Sequence, residues 1–337
     1  MSRLLVERAM NDPGQRHWTE TKERGNYWAM RILVAVYRVG GRLLLKPLVT
    51  LVVLYFFITR PSVRRHSAAY LRRVLGRPPR WRDLWRHQLS FGLALVDRLG
   101  AWMGRIRRTD VAFDGHQTML DLQARSTGAV LLGAHLGNLE MCRAVVTNDG
   151  SMKLNVILHN RNTENFNRLI QNVSGQSGIR LIQVDDITPV TAMQLRAKLD
   201  QGEFLILLAD RLPPGNTGRF IRHPVLGDDV RLPMGPFWLS LMLGAPVYFM
   251  AGFATNRGHR AVLEPLYDGG KVARRDRDRV SRELVSSYVH YLERYCRRYP
   301  FQWFNFYDYW EDDLPLAPAS TDRFSTNPLH QKRSSDE

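Results

Sequence analysis

Lysine is scarce in this chain. Lys22, Lys46, Lys153, Lys198, Lys271 and Lys332 are the only six in 337 residues. Yet Lys+Arg number 48 against 32 Asp+Glu, a formal charge of +16, so arginine carries almost all of the excess. Arginine pairs bidentately with phosphate, where lysine offers only a point charge. Such a field fits nucleic acid, anionic lipid or a phosphate-bearing cofactor, and composition does not choose among them. Cysteine is scarcer still. Cys142 and Cys296 sit in helix-like segments without metal-ligand spacing, which fits buried thiols in a reducing compartment. Also missing are G-x-x-x-x-G-K-S/T, H-E-x-x-H, paired C-x-x-C and G-x-S-x-G. Residues 175–178, GQSG, fall one residue short of the last and read as a turn. Without an activated Ser or Cys, direct attack by a substrate hydroxyl is favoured over covalent catalysis. No signal peptide opens the chain, and no internal repeat is found.

What is present divides by texture. Residues 1–27 are polar and mixed in charge. From Ala29 to Lys46 the cations Arg31, Arg38, Arg42 and Lys46 fall within roughly an 80° stripe of one helical face. After Pro47, residues 48–59 carry no charge and are rich in Leu, Val and Phe. Twelve residues are short of the roughly 20 that a span needs. A basic-striped helix followed by a short apolar one predicts monotopic insertion, with arginines reaching lipid phosphates. A single span stays open if the cations of residues 29–59 snorkel. Residues 66–110 read as helical, with their aromatics in the core.

From Ser126 strands and helices alternate. Strands are predicted at 129–132, 154–158, 179–184 and 204–208, and helices at 139–146, 163–174 and 189–200. Thr188 is the cap of the last helix and Pro189 its first residue. A β-rich return follows at 219–224, 247–253 and 259–266, with a helix at 235–243, and then a long amphipathic helix over 275–298. The predicted fold is α/β, a mixed central sheet flanked by helices. An N-terminal helical, membrane-associating region (1–110) precedes the α/β domain (111–312), and a Pro/Ser/Asp-rich disordered tail (313–337) follows it.

The stretch 130–140, VLLGAHLGNLE, reads as a buried strand running through a turn into a helix opened by Asn138. His135 at the turn is suited to taking a proton near neutral pH, and Glu140 is placed to hold its imidazole in one tautomer. The helix N-terminus favours negative charge, on Glu140 or on a developing oxyanion. Arg161 follows the second strand and Asp210-Arg211 follows another, so all emerge at the sheet end that carries His135. Arg161 is a candidate for phosphate or oxyanion, and Asp210 and Arg211 for substrate binding or a structural ion pair. Arg219, Arg222 and Arg231, near Gly/Pro turns, are candidates to cradle a phosphate-bearing donor.

His135 and Glu140 after a hydrophobic strand resemble the H-x4-D/E motif of the lysophospholipid acyltransferase superfamily. More specifically, the chain resembles the bacterial late lipid A acyltransferases, the lauroyl and myristoyl transferases, from about Trp18 to Trp310. The ordered set is Glu23-Arg-Gly25, residues 91–98 (FGLALVDR), His135 to Glu140, Asp210-Arg211, residues 220–227, residues 244–247 and the PFQW of residues 300–303. The resemblance implies a glycerolipid acyltransferase-like fold. It implies transfer of a fatty acyl group from acyl carrier protein, or acyl-CoA, to a lipid or glycolipid hydroxyl at the cytoplasmic face of the bacterial inner membrane. It assigns His135 as general base, Glu140 as the residue orienting it, and Arg161 near the reacting centre. Asn138 is grouped with Arg161, Asp210 and Arg211 as an oxyanion, donor or acceptor contact. No metal or cofactor is expected, only the acyl donor. Two departures, WFNFYDYW over 303–310 and Asp210-Arg211 in place of Gln-Asp, look more like related acyltransferases of aryl polyene and other lipid pathways.

Two other readings compete. A non-enzymatic basic protein binding membrane or nucleic acid rests on charge alone and lacks a recognisable nucleic-acid module. A lipid or thioester hydrolase would use the same pair with water as acceptor. Partners expected are acyl carrier protein and anionic lipids, with no nucleic acid; acyl length and oligomeric state are left open.

Overall fold

The computed structural model describes residues 27–142, 153–158, 179–183, 188–212 and 220–310. Glu23-Arg-Gly25, Arg161, Arg219 and residues 313–337 lie outside them, so the expectations placed there are not addressed structurally.

Three helices lead the described chain: α1 (Tyr27–Thr59), α2 (Pro61–Leu75) and α3 (Trp81–Trp102). The break expected at Pro47 is absent. A proline removes one backbone donor, and α1 absorbs that loss and stays helical through Pro47. It kinks instead at Gly41, whose φ of 56° needs a residue without Cβ. As a result residues 35–59 form an apolar stretch of 25 residues, bent at Gly41, whose most apolar 18-residue window has mean hydropathy 1.8 and is only 11% buried. At about 1.5 Å per residue it is long enough to cross a bilayer.

One side of α1 is spoken for. Tyr37, Leu45 and Val49 pack with Val96 and Leu99 of α3. Gly92 of α3 makes the contact close, since a Cβ there would lie 2.7 Å from Val53 and 2.8 Å from Val49. The other side, with Val39, Leu43, Leu51, Tyr55 and Ile58, is exposed. Gly92→Leu is therefore expected to cost about 2 kcal/mol by overpacking, read as a lower melting temperature in detergent. Leu51→Ala on the open face is expected to leave that temperature unchanged.

A seven-stranded sheet follows, in the order β1-β9-β8-β2-β5-β3-β4. Its strands are β1 (Val111–Asp114), β2 (Val130–Gly133), β3 (Leu154–Leu158), β4 (Ile179–Gln183), β5 (Phe204–Leu208), β8 (Val247–Thr255) and β9 (Gly258–Tyr267). β8, β2, β5, β3 and β4 run parallel, while β9 returns antiparallel to β8 and carries β1 parallel to itself. The continuous apolar runs at β2 and β5 follow from burial on both faces. Val130, Leu132, Leu205 and Leu207 enter the larger core, and Leu131, Phe204 and Ile206 the smaller one beneath.

The larger core is closed by α5 (Pro189–Asp200), α6 (Met234–Leu243) and α7 (Arg277–Arg298). Tyr70, Leu71 and Val74 of α2 lie in that same core. Leu122 of α4 (His116–Ala124) lies in the smaller one. A separate hairpin, β6 (Phe220–Val225) with β7 (Asp228–Pro233), turns at Leu226 and Gly227, both with positive φ. That is the geometry of a two-residue hairpin loop matched to strand twist.

Candidate active site

β2 lies between β5 and β8, so the chain leaving β2 emerges beside the ends of both neighbours. The turn after it is held on two sides. Gly137 has φ 68°, and a Cβ there would come within 1.9 Å of the Gly252 carbonyl oxygen, so only glycine fits. Its N–H donates to Gln302 O at 2.6 Å, and the Asn138 N–H donates to Gly252 O at 2.6 Å. The Asn138 side chain caps the following turn, accepting the Glu140 N–H at 3.1 Å. The Gly137 and Asn138 amides are thus already engaged, and neither is left over for an oxyanion.

His135 stands within this fixed turn, its side chain 35% exposed. Its Nδ1 meets Asp210 Oδ1 at 2.9 Å, and its own backbone N–H donates to Asp210 Oδ2 at 2.9 Å. Asp210 follows β5, whose register beside β2 pairs Leu208 with Gly133 and brings the two residues together. The Trp303 indole N–H completes the set, donating to Asp210 Oδ2 at 3.1 Å. Asp210 is fully buried. Burial alone would raise its pKa, but attraction to His135 when that ring is protonated, the hydrogen bonds from the His135 ring and backbone N–H, and the adjoining Arg211 hold the carboxyl well below the usual carboxylate range. Asp210 is therefore an ionised acceptor of three N–H groups. This fixes the proton of neutral His135 on Nδ1 and leaves Nε2 as a bare lone pair, with no hydrogen-bond partner among the described residues.

The remaining candidates take other places. Asp210, not Glu140, is the carboxylate on His135 Nδ1; Glu140 begins the helical residues 140–142, its amide held by Asn138. Arg211 turns to the C-terminal segment, donating from Nη2 to Phe304 O at 2.5 Å and from Nε to Asn305 Oδ1 at 3.1 Å, with Tyr307 beside its guanidinium. Of the arginines near the hairpin, Arg222 and Arg231 are cross-strand neighbours, and Arg231 lies over Phe220. Both cysteines are free and buried, and burial pushes their thiols up. Among the described residues no three His, Cys, Asp or Glu side chains converge as metal ligands.

Residues 300–310 cross the site. Phe304 N–H donates to His135 O at 2.9 Å, Leu136 bridges Trp303, and the Gln302 side chain grips both backbone groups of Ala254. Behind Trp303 lies His87 of α3, fully buried. Its Nε2 donates to Trp303 O at 2.8 Å, so its Nδ1 accepts the Ser67 hydroxyl at 2.7 Å. Burial pushes His87 down to about 4 despite the Trp303 bond, so the ring is neutral. Between about pH 6.5 and 4 only the unfolded chain takes this proton. Stability is expected to fall on acidification through that window, by roughly 3 kcal/mol. Urea titrations of wild type and His87→Gln at pH 7 and pH 5 check this, since the glutamine variant lacks the dependence.

The family model described as bacterial lipid A biosynthesis acyltransferase matches residues 85–310, two thirds of the chain. The chain belongs to this family. No curated protein matches it. As a member of the lipid A biosynthesis acyltransferase family it is an acyltransferase, membrane-associated like the rest of the family. The matched span opens within α3, two residues before His87, and closes at Trp310. It therefore contains His135, Asp210 and the strap of residues 300–310, while α1 and α2 precede it.

On the far side of Asn138 a pocket of about 180 Å³ opens toward α1, lined in part by Arg42, Ser90, Asp97, Asn256 and His259. Asp97 is buried there and takes Arg42 at 2.9 and 3.2 Å, with His259 Nε2 3.6 Å away. This ion pair ties the apolar helix to α3, with His259 at the start of β9 beside it.

Proposed function

We propose that this acyltransferase moves a fatty acyl group from acyl carrier protein, or acyl-CoA, to a hydroxyl of a lipid or glycolipid, at the cytoplasmic face of the inner membrane. The observation that carries the reading is His135 itself: partly open to solvent, bound through Nδ1 to an ionised buried aspartate, with Nε2 bare among the described residues.

His135 Nε2 takes the proton of the acceptor hydroxyl as its oxygen attacks the thioester carbonyl. The tetrahedral intermediate collapses by breaking the C–S bond, and the imidazolium returns the proton to the departing thiolate. The new ester stays on the acceptor. Asp210 stabilises the imidazolium and holds the ring from turning. The chain's positive charge suits an acidic carrier protein bearing a phosphopantetheine arm. The exposed face of α1 suits an acceptor delivered from the bilayer.

The test compares lipid extracts of cells making wild type or His135→Ala by mass spectrometry. A lipid lighter by one acyl group in the variant supports the reading and identifies acceptor and chain length. Identical lipids, with both proteins present in membranes, contradict it. Free fatty acid released from acyl thioester without an acylated lipid assigns hydrolysis instead.

A further inference from the structure

We infer that Trp303 and His87 are positioning residues for the transfer reaction, holding the Asp210 carboxylate that orients His135. The inference rests on the general-base reading of His135. A buried carboxylate is stable only when its lone pairs meet donors. Two of the three donors on Asp210 belong to His135, its ring and its backbone N–H. Trp303 supplies the third, the one that ties the carboxylate to another part of the chain.

The position of Trp303 is in turn over-determined. On one side of the strap, Gln302 O and Phe304 N–H pair with the turn at Gly137 and His135. The Trp303 carbonyl takes His87 Nε2–H, and His87 takes the Ser67 hydroxyl of α2. A line of hydrogen bonds thus runs from α2 through α3 and the strap to Asp210 and His135. Space-filling does not require it. The His87 ring lies against Tyr70, Phe304 and Phe306, where a phenyl ring would pack as well without needing a partner at either nitrogen. The family resemblance counted residues 300–303 only as part of an ordered set; the geometry ties Trp303 to the carboxylate that orients His135.

Trp303→Phe keeps an aromatic ring and deletes the N–H. Losing one hydrogen bond to a charged group is expected to lower kcat about tenfold to a hundredfold, with KM little changed. A carboxylate with one fewer donor is a stronger acceptor for His135 Nδ1–H, so the acid limb of kcat/KM moves to higher pH. His87→Phe is expected to act in the same direction. His87→Gln, which keeps an N–H donor at about the reach of Nε2, is expected to restore most of kcat. Variants are compared in native membranes at matched protein level, with His135→Ala alongside. Trp303→Phe at wild-type kcat with an unmoved acid limb, beside an inactive His135→Ala, overturns the inference and leaves the base reading intact. His87→Gln as impaired as His87→Phe shows packing alone and also overturns it. An active His135→Ala removes the base reading, and the inference with it.

Discussion

His135→Ala is expected to lower the rate of acyl transfer by about 10⁴-fold, the upper end of what a positioned general base supplies. Among the described residues nothing nearby replaces it. Asp210 is buried and acceptor-only, Arg211 is committed to Phe304 and Asn305, and the Gly137 and Asn138 amides are engaged. Protein level and membrane attachment are expected to be retained, because among the described residues the side chain makes one hydrogen bond, Asp210 keeps the His135 backbone N–H and the Trp303 indole as donors, and α1 lies elsewhere. Initial rates with a purified acyl-carrier thioester, at equal amounts of membrane-bound protein, check this. A loss below about tenfold would falsify the role given to His135.

Asp210→Asn carries the second largest effect, about 10³-fold in kcat. The amide keeps the shape of the carboxylate but must present NH₂ to one of its three donors. If that NH₂ faces Nδ1, the ring proton is driven to Nε2, and the base is blocked at the atom that has to act. If it faces the His135 amide and the Trp303 indole instead, donor meets donor in a buried site, at a cost of about 1–3 kcal/mol. The wild-type Asp210 stays ionised across the working range, because its pKa lies well below that of an ordinary carboxylate. Protonation of Asp210 is therefore not expected to contribute to loss of activity on acidification. A pH–rate profile with a group in the ordinary carboxylate range that is abolished by Asp210→Asn would count against this assignment.

The centre of the sheet was readable because β2 and β5 are buried on both faces. Residues 154–158 and 204–208 bound β3 and β5 as expected, and Thr188-Pro189 marks the start of α5, with Thr188 Oγ1 accepting the Thr191 N–H. β1, α4 and β7 were not foreseen. Each is short, and Asp228, Asp229 and Arg231 break the apolar alternation of β7. The length of α1 was underestimated because Pro47 looked like a boundary, whereas the break lies at Gly41.

At the site, His135 was visible from its strand–turn–helix setting, and Asp210 was picked out as a residue at the same sheet edge. Their partnership was not, because it depends on β2 and β5 being neighbours. Sequence separation pointed to Glu140, five residues away; lateral strand order brings in Asp210, 75 residues away. Trp303 and His87 were hidden for a different reason. Both lie among aromatics, where a core role is the natural reading, and only hydrogen-bond geometry separates them from their neighbours.

The measurement that tests the central claim most directly is proton–nitrogen correlation NMR of the protein labelled with ¹⁵N-histidine, in wild type, Asp210→Asn and Glu140→Gln, with His135→Ala to assign the signal. The account predicts a neutral His135 protonated on Nδ1, with a strongly hydrogen-bonded proton that moves or disappears in Asp210→Asn and persists in Glu140→Gln. A signal indifferent to Asp210→Asn and lost in Glu140→Gln would return the orienting role to Glu140 and contradict the account.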